Sequence, residues 1–365
     1  MIKLAFIIDS IHLGGPGNVL RTMLRGLDMN KFDITLITLF KKRNDKEVIN
    51  ELKSLGVNIV MFNFENKVDF VLYGNKKLKK IILKNRFDII HSHGLCPDIL
   101  NARTRNTKNI STIHCNIFED YPNTYGKFKG CIMIKLHLMY LKKMCRQICV
   151  SETVRNSLKK HLKNTKVIRN GIETVTHKEL ITKSDLSIPE NAIVYIYIGR
   201  LTEGKNILSL LTNFNKYHLP NEYLIVFGRG TEEENCRKIE DGNIKIMGFS
   251  HKAIAHLQIA DYYVSASKSE GFAISIVEAL DNGLGLFVSD IPSHREVFEM
   301  ADNLYLGETF NNTDFEKKLL KLRLCRKQIV PEEIIEFKRK KLSAKKMIAD
   351  YVEIYTNISK EKLNC

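Results

Sequence analysis

Short apolar runs alternate with helical patterns along the chain, and this rhythm constrains the fold more than any other feature. Because the runs lack polar alternation, each strand should be covered by helices on both faces. Strands separated by helical segments of about 10–15 residues predict βαβ units and a parallel sheet. The expected strands of the first half are residues 3–9, 33–40, 57–62, 87–93, 110–115 and 147–151.

A polar segment, residues 167–192, interrupts the rhythm with Asn-Gly and Ile-Pro turn signals. We therefore predict an α/β protein of two doubly wound parallel-sheet domains, residues 1–172 and 173–345. A C-terminal helix, residues 346–365, is expected to pack back toward the first domain, after a basic helix pair near 313–328 and 332–358. Ligands of such sheets bind beyond the carboxyl ends of the strands. Further strands are expected at 192–199, 223–228, 244–248, 261–267 and 285–290.

The positive charge of the chain is concentrated in its first half. The net charge is +16, and residues 1–175 hold 31 Lys and Arg against 14 Asp and Glu. This asymmetry predicts an acidic partner, for which the alternative is an ordinary solvated helix face. Nucleic acid is not expected, because aromatic residues do not interleave the basic runs as a stacking surface requires.

Membrane-spanning segments are not predicted. The apolar run at the N-terminus ends at Asp9 and favours a first strand over a signal peptide. The stretch "CIMIKLHLMYL" contains Lys135 and His137, and is far shorter than the roughly 20 apolar residues that cross a bilayer. The expected location is cytoplasmic, with attachment to a membrane from one side at most.

A glycine-rich loop, "HLGGPGNVL" (12–20), follows the first strand and opens a helix. Gly14, Gly15 and Gly17 would expose backbone N–H groups at the helix N-terminus, where anions bind. The spacing is not that of the GxGxxG dinucleotide fingerprint. The loop indicates contact with a phosphate or sugar, and a merely tight turn remains the alternative.

Two cations follow the first strand of the second domain in "GRLTEGKN" (199–206). Arg200 and Lys205 flank a helix start, and Gly199 and Gly204 free the backbone beside them. A forked guanidinium and a compact ammonium together suit a diphosphate. The alternative is a pair of exposed surface cations.

Two glutamates, Glu270 and Glu278, stand eight positions apart in "SKSEGFAISIVEALDNG" (267–283). If a helix begins near Phe272, its first N–H groups lie beside Glu270. A helical rise of eight residues is about 12 Å, so the two carboxylates could hold hydroxyls at both ends of a nucleotide-sugar. The alternative is a solvated turn followed by a surface position of a helix.

Histidines end two of the expected strands. His91 and His93 share a face of one strand, and His114 ends the next. A metal site is not predicted, because no third ligand stands nearby. Polar positions facing a ligand beyond the strand ends are the preferred interpretation.

With its motifs in this order, the sequence resembles the retaining, nucleotide-sugar-dependent glycosyltransferases of the GT-B fold. This is the family-4-like group, which includes glycogen-synthase-like and bacterial polysaccharide enzymes. The resemblance runs from Gly14 to about Glu296, and its most specific part is the segment with Glu270 and Glu278. It implies two facing Rossmann-like domains, with an interdomain cleft that holds the donor.

The resemblance also implies roles for the matching residues. Arg200 and Lys205 would bind the donor diphosphate, and Glu278 would hold the ribose hydroxyls. Glu270 would hold hydroxyls of the transferred sugar, and His114 would lie near that sugar. Backbone contacts to the donor would come from the following residues of this sequence: Gly14, Gly15, Gly199, Gly248 near the nucleobase, Gly271, Phe272 and Ala273.

Three departures from the family pattern affect these assignments. Pro16, Gly17 and Asn18 stand where an acidic–basic pair is common, and Gly285 stands where proline is usual. Arg229 replaces the aspartate of many members, which weakens base recognition by analogy.

The activity implied is metal-independent hexosyl transfer with retention, most often from a UDP-sugar, and it requires no cofactor. The basic first domain suggests a lipid-linked oligosaccharide acceptor in capsule, O-antigen or exopolysaccharide synthesis. The protein would then be peripheral on the inner face of the plasma membrane, held at its anionic surface. Two alternatives remain open: a cytosolic transferase with a soluble acceptor, and a non-hydrolysing nucleotide-sugar epimerase.

Overall fold

The chain divides into two compact units, Met1–Glu173 with Ala344–Cys365, and Thr174–Ser343. The computed structural model describes residues 1–11, 15–41, 44–104, 107–174 and 180–361. The strands of the first unit are β1 (Ile2–Ile8), β2 (Phe32–Phe40), β3 (Asn58–Phe64), β4 (Ile89–His93), β5 (Lys108–Ile113), β6 (Arg146–Cys149) and β7 (Thr165–Val167). Those of the second are β8 (Ile193–Ile198), β9 (Glu222–Phe227), β10 (Ile244–Gly248), β11 (Tyr262–Ser265), β12 (Gly285–Ser289) and β13 (Gly307–Phe310).

Helices separate nearly all of these strands. Those in the first part of the chain are α1 (Gly15–Gly26), α2 (Lys46–Ser54), α3 (Lys67–Asn85), α4 (Leu95–Asn101), α5 (Ile117–Tyr125), α6 (Lys127–Leu141) and α7 (Glu152–Leu158). They are followed by α8 (Ile207–Tyr217), α9 (Glu233–Arg237), α10 (Ile274–Asp281), α11 (Pro292–Met300), α12 (Phe315–Leu324), α13 (Pro331–Lys341) and α14 (Ala344–Lys360).

Both sheets are parallel and doubly wound, as the sequence predicts. The order is β3-β2-β1-β4-β5-β6-β7 in the first unit and β10-β9-β8-β11-β12-β13 in the second. In each sheet the strand order reverses at the first strand, beside β1 and β8. In open α/β sheets ligands bind at the carboxyl ends of the strands next to such a reversal.

The elements differ from the sequence predictions in three places. β7 and β13 were not anticipated, because β7 has only three residues and β13 contains the buried Glu308 rather than a continuous apolar run. The helix expected over 332–358 is two helices, α13 and α14, which break at Leu342 and Ser343. The break coincides with the point at which the chain leaves the second unit, so α14 belongs to the first.

Each unit has its own apolar core. In the second, Tyr195, Phe214 and Phe287 are almost fully buried with the side chains that surround them. In the first, Ala5, Ile7 and Ile37 are inaccessible to solvent. Within the described residues, no helix is both long enough and apolar enough to cross a membrane.

Candidate functional site

The two cations predicted to bind a diphosphate lie just after β8. The Arg200 side chain is exposed, and its guanidinium forms no hydrogen bond or ion pair within the described part of the chain. Its carbonyl oxygen accepts a hydrogen bond of 2.9 Å from the Tyr197 hydroxyl, which fixes the backbone at this turn. Lys205 ends a short 3₁₀ turn that begins at Glu203. Arg200 is therefore available to an anion.

Lys205 and Glu270 form an ion pair, which joins two of the sequence motifs. The Lys205 ammonium donates to Oε1 of Glu270, and the two side chains are 21% and 15% exposed. The Ser267 hydroxyl donates to the same oxygen at 2.8 Å. Although burial opposes ionisation, the charge of Lys205 and its hydrogen bond hold the pKa of Glu270 below its usual value. Glu270 is therefore a carboxylate that can accept hydrogen bonds from hydroxyls.

Glu278 is half-buried on α10, and its carboxylate has no partner among the described residues. Burial, together with the charge of Asp281, raises the pKa of Glu278 to about 7. α10 begins at Ile274 rather than near Phe272, with Ala273 as an extended cap. Gly271 and Phe272 are buried in the turn before it.

Two glycines of the second unit that were predicted to contact the donor lie at the carboxyl ends of β8 and β10. A Cβ on Gly199 would lie 2.7 Å from the Tyr197 hydroxyl. Gly248 ends β10 with φ +71, and its carbonyl accepts from the N–H of Gly228 at 2.8 Å. Arg229, which departs from the family pattern, lies 5.9 Å from the centre of the Phe249 ring.

In the first unit, Gly15 is the first residue of α1. Its φ is +42, which suits glycine, and an added Cβ would meet nothing within 4 Å. The backbone at the start of this twelve-residue helix is therefore open to a ligand. Gly14, predicted to contact the donor with it, lies outside the described residues.

The three histidines of the first unit lie together at the ends of β4 and β5. His93 Nδ1 is 2.9 Å from His114 Nε2, and the two ring planes are inclined by 30° with their centres 5.2 Å apart. His91 lies beneath His93, with 4.4 Å between ring centres. Burial lowers the pKa of His114 to about 4, so its ring is neutral near pH 7. Among the described residues, no group of three or more His, Cys, Asp or Glu side chains could hold a metal.

No functional role is predicted from the sequence for His294, which lies in the segment "SDIPSHREV" (289–297). His294 is fully buried, and its Nδ1 donates to the carbonyl oxygen of Ser289 at 2.9 Å. The Ser289 hydroxyl in turn donates to the carbonyl of Ser267 at 2.7 Å. These bonds hold the turn that carries Glu270. His294 could have been predicted as a candidate from its position shortly after β12, because functional side chains often follow the carboxyl ends of parallel strands.

The comparisons with known protein families cover both units. Residues 13–175 match the family model described as Glycosyltransferase Family 4. Residues 179–362, half of the chain, match the model described as Glycosyl transferases group 1.

Three similar proteins illustrate the likeness. The O-antigen biosynthesis glycosyltransferase WclY of Escherichia coli is 24% identical over 99% of this chain and 100% of its own. The UDP-Gal:alpha-D-GlcNAc-diphosphoundecaprenol alpha-1,3-galactosyltransferase of E. coli is 27% identical over 59% of this chain and 60% of its own. The structure of Anabaena Alr3699/HepE in complex with UDP-glucose has a TM-score of 0.79, with 14% identity over 98% of this chain and 100% of that one.

Proposed function

Because this chain belongs to the glycosyltransferases of group 1 and family 4 and has their GT-B fold of two Rossmann-like domains, we propose that it transfers a sugar from a nucleoside diphosphate sugar with retention of configuration. The sugar is a hexose or an N-acetylhexosamine, and the donor is a UDP-sugar. The acceptor is a lipid-linked oligosaccharide of O-antigen, capsule or exopolysaccharide synthesis. The names of the two E. coli relatives support this choice of pathway and acceptor.

The observation that carries the proposal is the grouping of Arg200, Lys205 and Glu270 at the carboxyl ends of β8 and β11. An unpartnered guanidinium lies in the same turn as an ammonium that is held by a carboxylate. A diphosphate would add its negative charge to these two cations. Glu270 would then accept hydrogen bonds from sugar hydroxyls, while Glu278 would hold the ribose.

The chemistry follows from where charge develops during transfer. Glycosyl transfer passes through an oxocarbenium-like transition state while the nucleoside diphosphate leaves. Arg200 and Lys205 would stabilise the negative charge on the departing phosphate. We propose front-face substitution, in which the acceptor hydroxyl enters on the side from which the diphosphate departs. Glu270 is bound to Lys205 and Ser267, which suits a hydroxyl anchor better than a nucleophile.

Alanine variants of the two cations test the donor site. Arg200→Ala and Lys205→Ala should each lower turnover by roughly two to three orders of magnitude, as does loss of other preorganised charge stabilisers. Lys268→Ala is a matched control, because Lys268 lies two residues before Glu270 and, within the described ranges, its ammonium forms an ion pair only with the exposed Glu203, at 2.9 Å. Near-normal transfer by both variants, with unchanged thermal unfolding, would contradict the assignment.

A basic and apolar face on the first unit supports a membrane-bound acceptor. α3 and α6 each expose most of their surface, and α6 contains no carboxylate. Lys67 Nζ lies 5.4 Å from the centre of the Tyr125 ring. This contact links the start of α3 to the end of α5. The exposed apolar side chains of this face are Val68, Val71, Leu72, Tyr73, Leu83, Phe128, Ile132, Leu136 and Met139.

Lysines interleaved with exposed apolar side chains suit a helix that lies on an anionic membrane. Each basic residue near such a surface contributes about 1 kcal/mol, and salt screens the attraction. We therefore propose that the protein is peripheral on the inner face of the plasma membrane and binds it through this basic apolar face.

Sedimentation with vesicles tests the membrane proposal. The protein should bind vesicles that contain anionic lipid, release them as salt rises, and bind neutral vesicles weakly. Phe128→Ser should reduce binding roughly tenfold, because it removes an 81% exposed aromatic that would insert. Leu324→Ser is the matched control, since Leu324 is a 77% exposed apolar residue on the basic helix α12. Absence of binding at low salt would favour the soluble-acceptor alternative.

An epimerase would be distinguished by the products formed without an acceptor. It would interconvert a nucleotide-sugar by itself, whereas the proposed transferase needs an acceptor for net reaction. Screening nucleotide-sugars by thermal shift, followed by incubation with and without acceptor, separates the two activities.

A further inference from the structure

The contact between His93 and His114 determines which nitrogen of His114 carries a proton. His93 ends β4 and His114 follows β5, and these strands pair in parallel with His93 opposite Thr112. The 2.9 Å separation of His93 Nδ1 and His114 Nε2 is a hydrogen bond between two imidazole rings. In such a pair, one ring donates and the other accepts.

His93 is held by neighbours on the other side of its ring. It is 3% exposed, and its ring contacts that of His91 at a tilt of 33°, with 4.4 Å between the ring centres. His91 is itself fixed at both nitrogens, by the Tyr355 hydroxyl at 2.7 Å and the Thr112 hydroxyl at 2.8 Å. The Tyr351 hydroxyl lies 3.0 Å from the same Thr112 oxygen. Side chains of α14 and β5 therefore fix the ring of His91, and His91 packs against His93.

The number of protons on the two rings favours one direction for the hydrogen bond between His93 and His114. Burial lowers the pKa of both rings, so each is neutral and carries one N–H. Nε2 of His93 is buried and has no partner within the described part of the chain. If His114 donated the bond, His93 would bury an unpaired N–H, which is rare in proteins. If His93 donates, only a lone pair is left unpaired.

We infer that His93 is a positioning residue, which donates from Nδ1 to Nε2 of His114 and thereby leaves the proton of His114 on Nδ1. His114 is half-buried, and its Nδ1 has no partner among the described residues. Nδ1–H is therefore a fixed donor that is available to a ligand oxygen. This inference rests on the proposed function, together with the expectation from the family resemblance that His114 lies near the transferred sugar. The donor would hold a hydroxyl oxygen of that sugar.

Ring-nitrogen NMR of the ¹⁵N-labelled full chain tests the tautomer without any substrate. In the wild type, His114 should show a protonated Nδ1 and an unprotonated Nε2. In His93→Phe, which keeps an aromatic ring but lacks the donor, His114 should populate both tautomers. In His93→Asn, whose amide nitrogen reaches close to the position of Nδ1, the wild-type tautomer should persist. A wild-type His114 with its proton on Nε2 would overturn the inference, whether or not the protein transfers a sugar.

Kinetics with the same variants test the consequence for transfer. Removal of the partner that sets the tautomer of a metal-bound histidine typically costs about 10- to 100-fold in activity, and we expect a loss of similar size here. His93→Phe should therefore lower kcat by at least tenfold and leave the affinity for UDP unchanged, while His93→Asn should recover most of the activity. His161→Phe is the matched control, since His161 is an exposed histidine beside Phe118.

The outcomes separate this inference from the proposed function. Equal loss of activity in the Phe and Asn variants would show that His93 only fills space, and would overturn the inference. Wild-type protein without any transferase activity, but with the expected tautomer, would overturn the proposed function and the sugar contact together. The inference that His93 donates a hydrogen bond to His114 would still hold in that case.

Discussion

Glu278 is half-buried and its carboxylate has no partner among the described residues, which makes its charge sensitive to pH near neutrality. A carboxylate in such a place loses hydration without gaining a hydrogen bond. Asp281, one turn further along α10, forms an ion pair of 2.6 Å with Lys338, and both side chains are 1% exposed. The pKa of Glu278 is raised to about 7, mainly by burial and also by the charge of Asp281.

We predict that donor affinity falls as the pH drops below 7. Ribose hydroxyls donate to an ionised carboxylate, so protonation of Glu278 competes with binding. With a pKa of about 7, binding at pH 6 should be roughly tenfold weaker than at pH 8. Calorimetry with an intact nucleoside diphosphate sugar measures this without interference, because both of its phosphates are esterified and do not titrate in this range.

Glu278→Gln is the control for this pH dependence. The amide keeps the size of the side chain and cannot ionise, so its affinity should be nearly constant between pH 6 and pH 8. A wild-type profile that is equally flat would show that Glu278 does not hold the ligand through its charge. Glu270 cannot mimic the effect, since its pKa lies below its usual value.

For single residues, the sequence indicated candidates for the donor site but not how their side chains pair. The motifs contain Lys205 and Glu270, but they lie 65 positions apart, and only the neighbouring positions of β8 and β11 bring them together. The unpaired state of Glu278 is likewise a property of its surroundings on α10. Neither local spacing nor composition contains that information.

Among the elements, α5 and α6 pack unusually closely. A Cβ on Gly130 of α6 would lie 2.6 Å from the nitrogen and 2.7 Å from the Cα of Pro122 on α5. These are backbone atoms, which cannot move aside as a flexible side chain can. The glycine therefore sets the distance between α5 and the helix that carries half of the basic apolar face.

Gly130→Ala should destabilise the protein by about 1–2 kcal/mol. Alanine favours a helix over glycine by about 1 kcal/mol, but overlap with the backbone of α5, which cannot move aside, should cost about 2–3 kcal/mol, the upper part of the typical range for overpacking. Urea unfolding measures the change. Gly242→Ala is the control, because an added Cβ there meets nothing within 4 Å. Gly130→Ala protein as stable as the wild type would show that α5 and α6 can separate at little cost.

The elements that the sequence predicted well are those with long apolar runs. β1 and β2 contain seven and nine residues, nearly all buried, and both were anticipated. β13 has four residues, including the buried Glu308, whose charge is offset by Lys318 and Lys321. Because a charged residue occupies a buried position of this strand and is neutralised by lysines of α12, the sequence shows no continuous apolar run here. This explains why the strand was not predicted.

In the molecule as a whole, the last helix of the chain belongs to the first unit. α14 follows the second unit in sequence but packs against α1, where the added Cβ of Gly26 would meet Ile348 Cδ1 at 2.2 Å. The residues of α14 that are buried there include Met347, Tyr351, Ile354, Tyr355 and Ile358. The first unit is thus assembled from both ends of the chain.

A chain that ends at Ser343 should therefore lose the fold of its first unit and keep that of its second. The five buried side chains of α14 contribute about 2 kcal/mol each, which is comparable with the whole stability of a typical domain. The buried His91 would also lose its bond to Tyr355. Limited proteolysis measures the outcome, and fragments from residues 174–343 should survive while those from 1–173 are degraded.

The second unit serves as an internal control in that experiment, because it lacks no element in the shortened chain. A peptide of residues 344–361, added in excess, should restore protection of the first unit by binding where α14 packs. Tyr355→Phe in the same peptide should restore less, since it leaves Nδ1 of the buried His91 unpaired. Protection of residues 1–173 without any peptide would mean that the first unit folds without α14, and that α14 only covers an already stable surface.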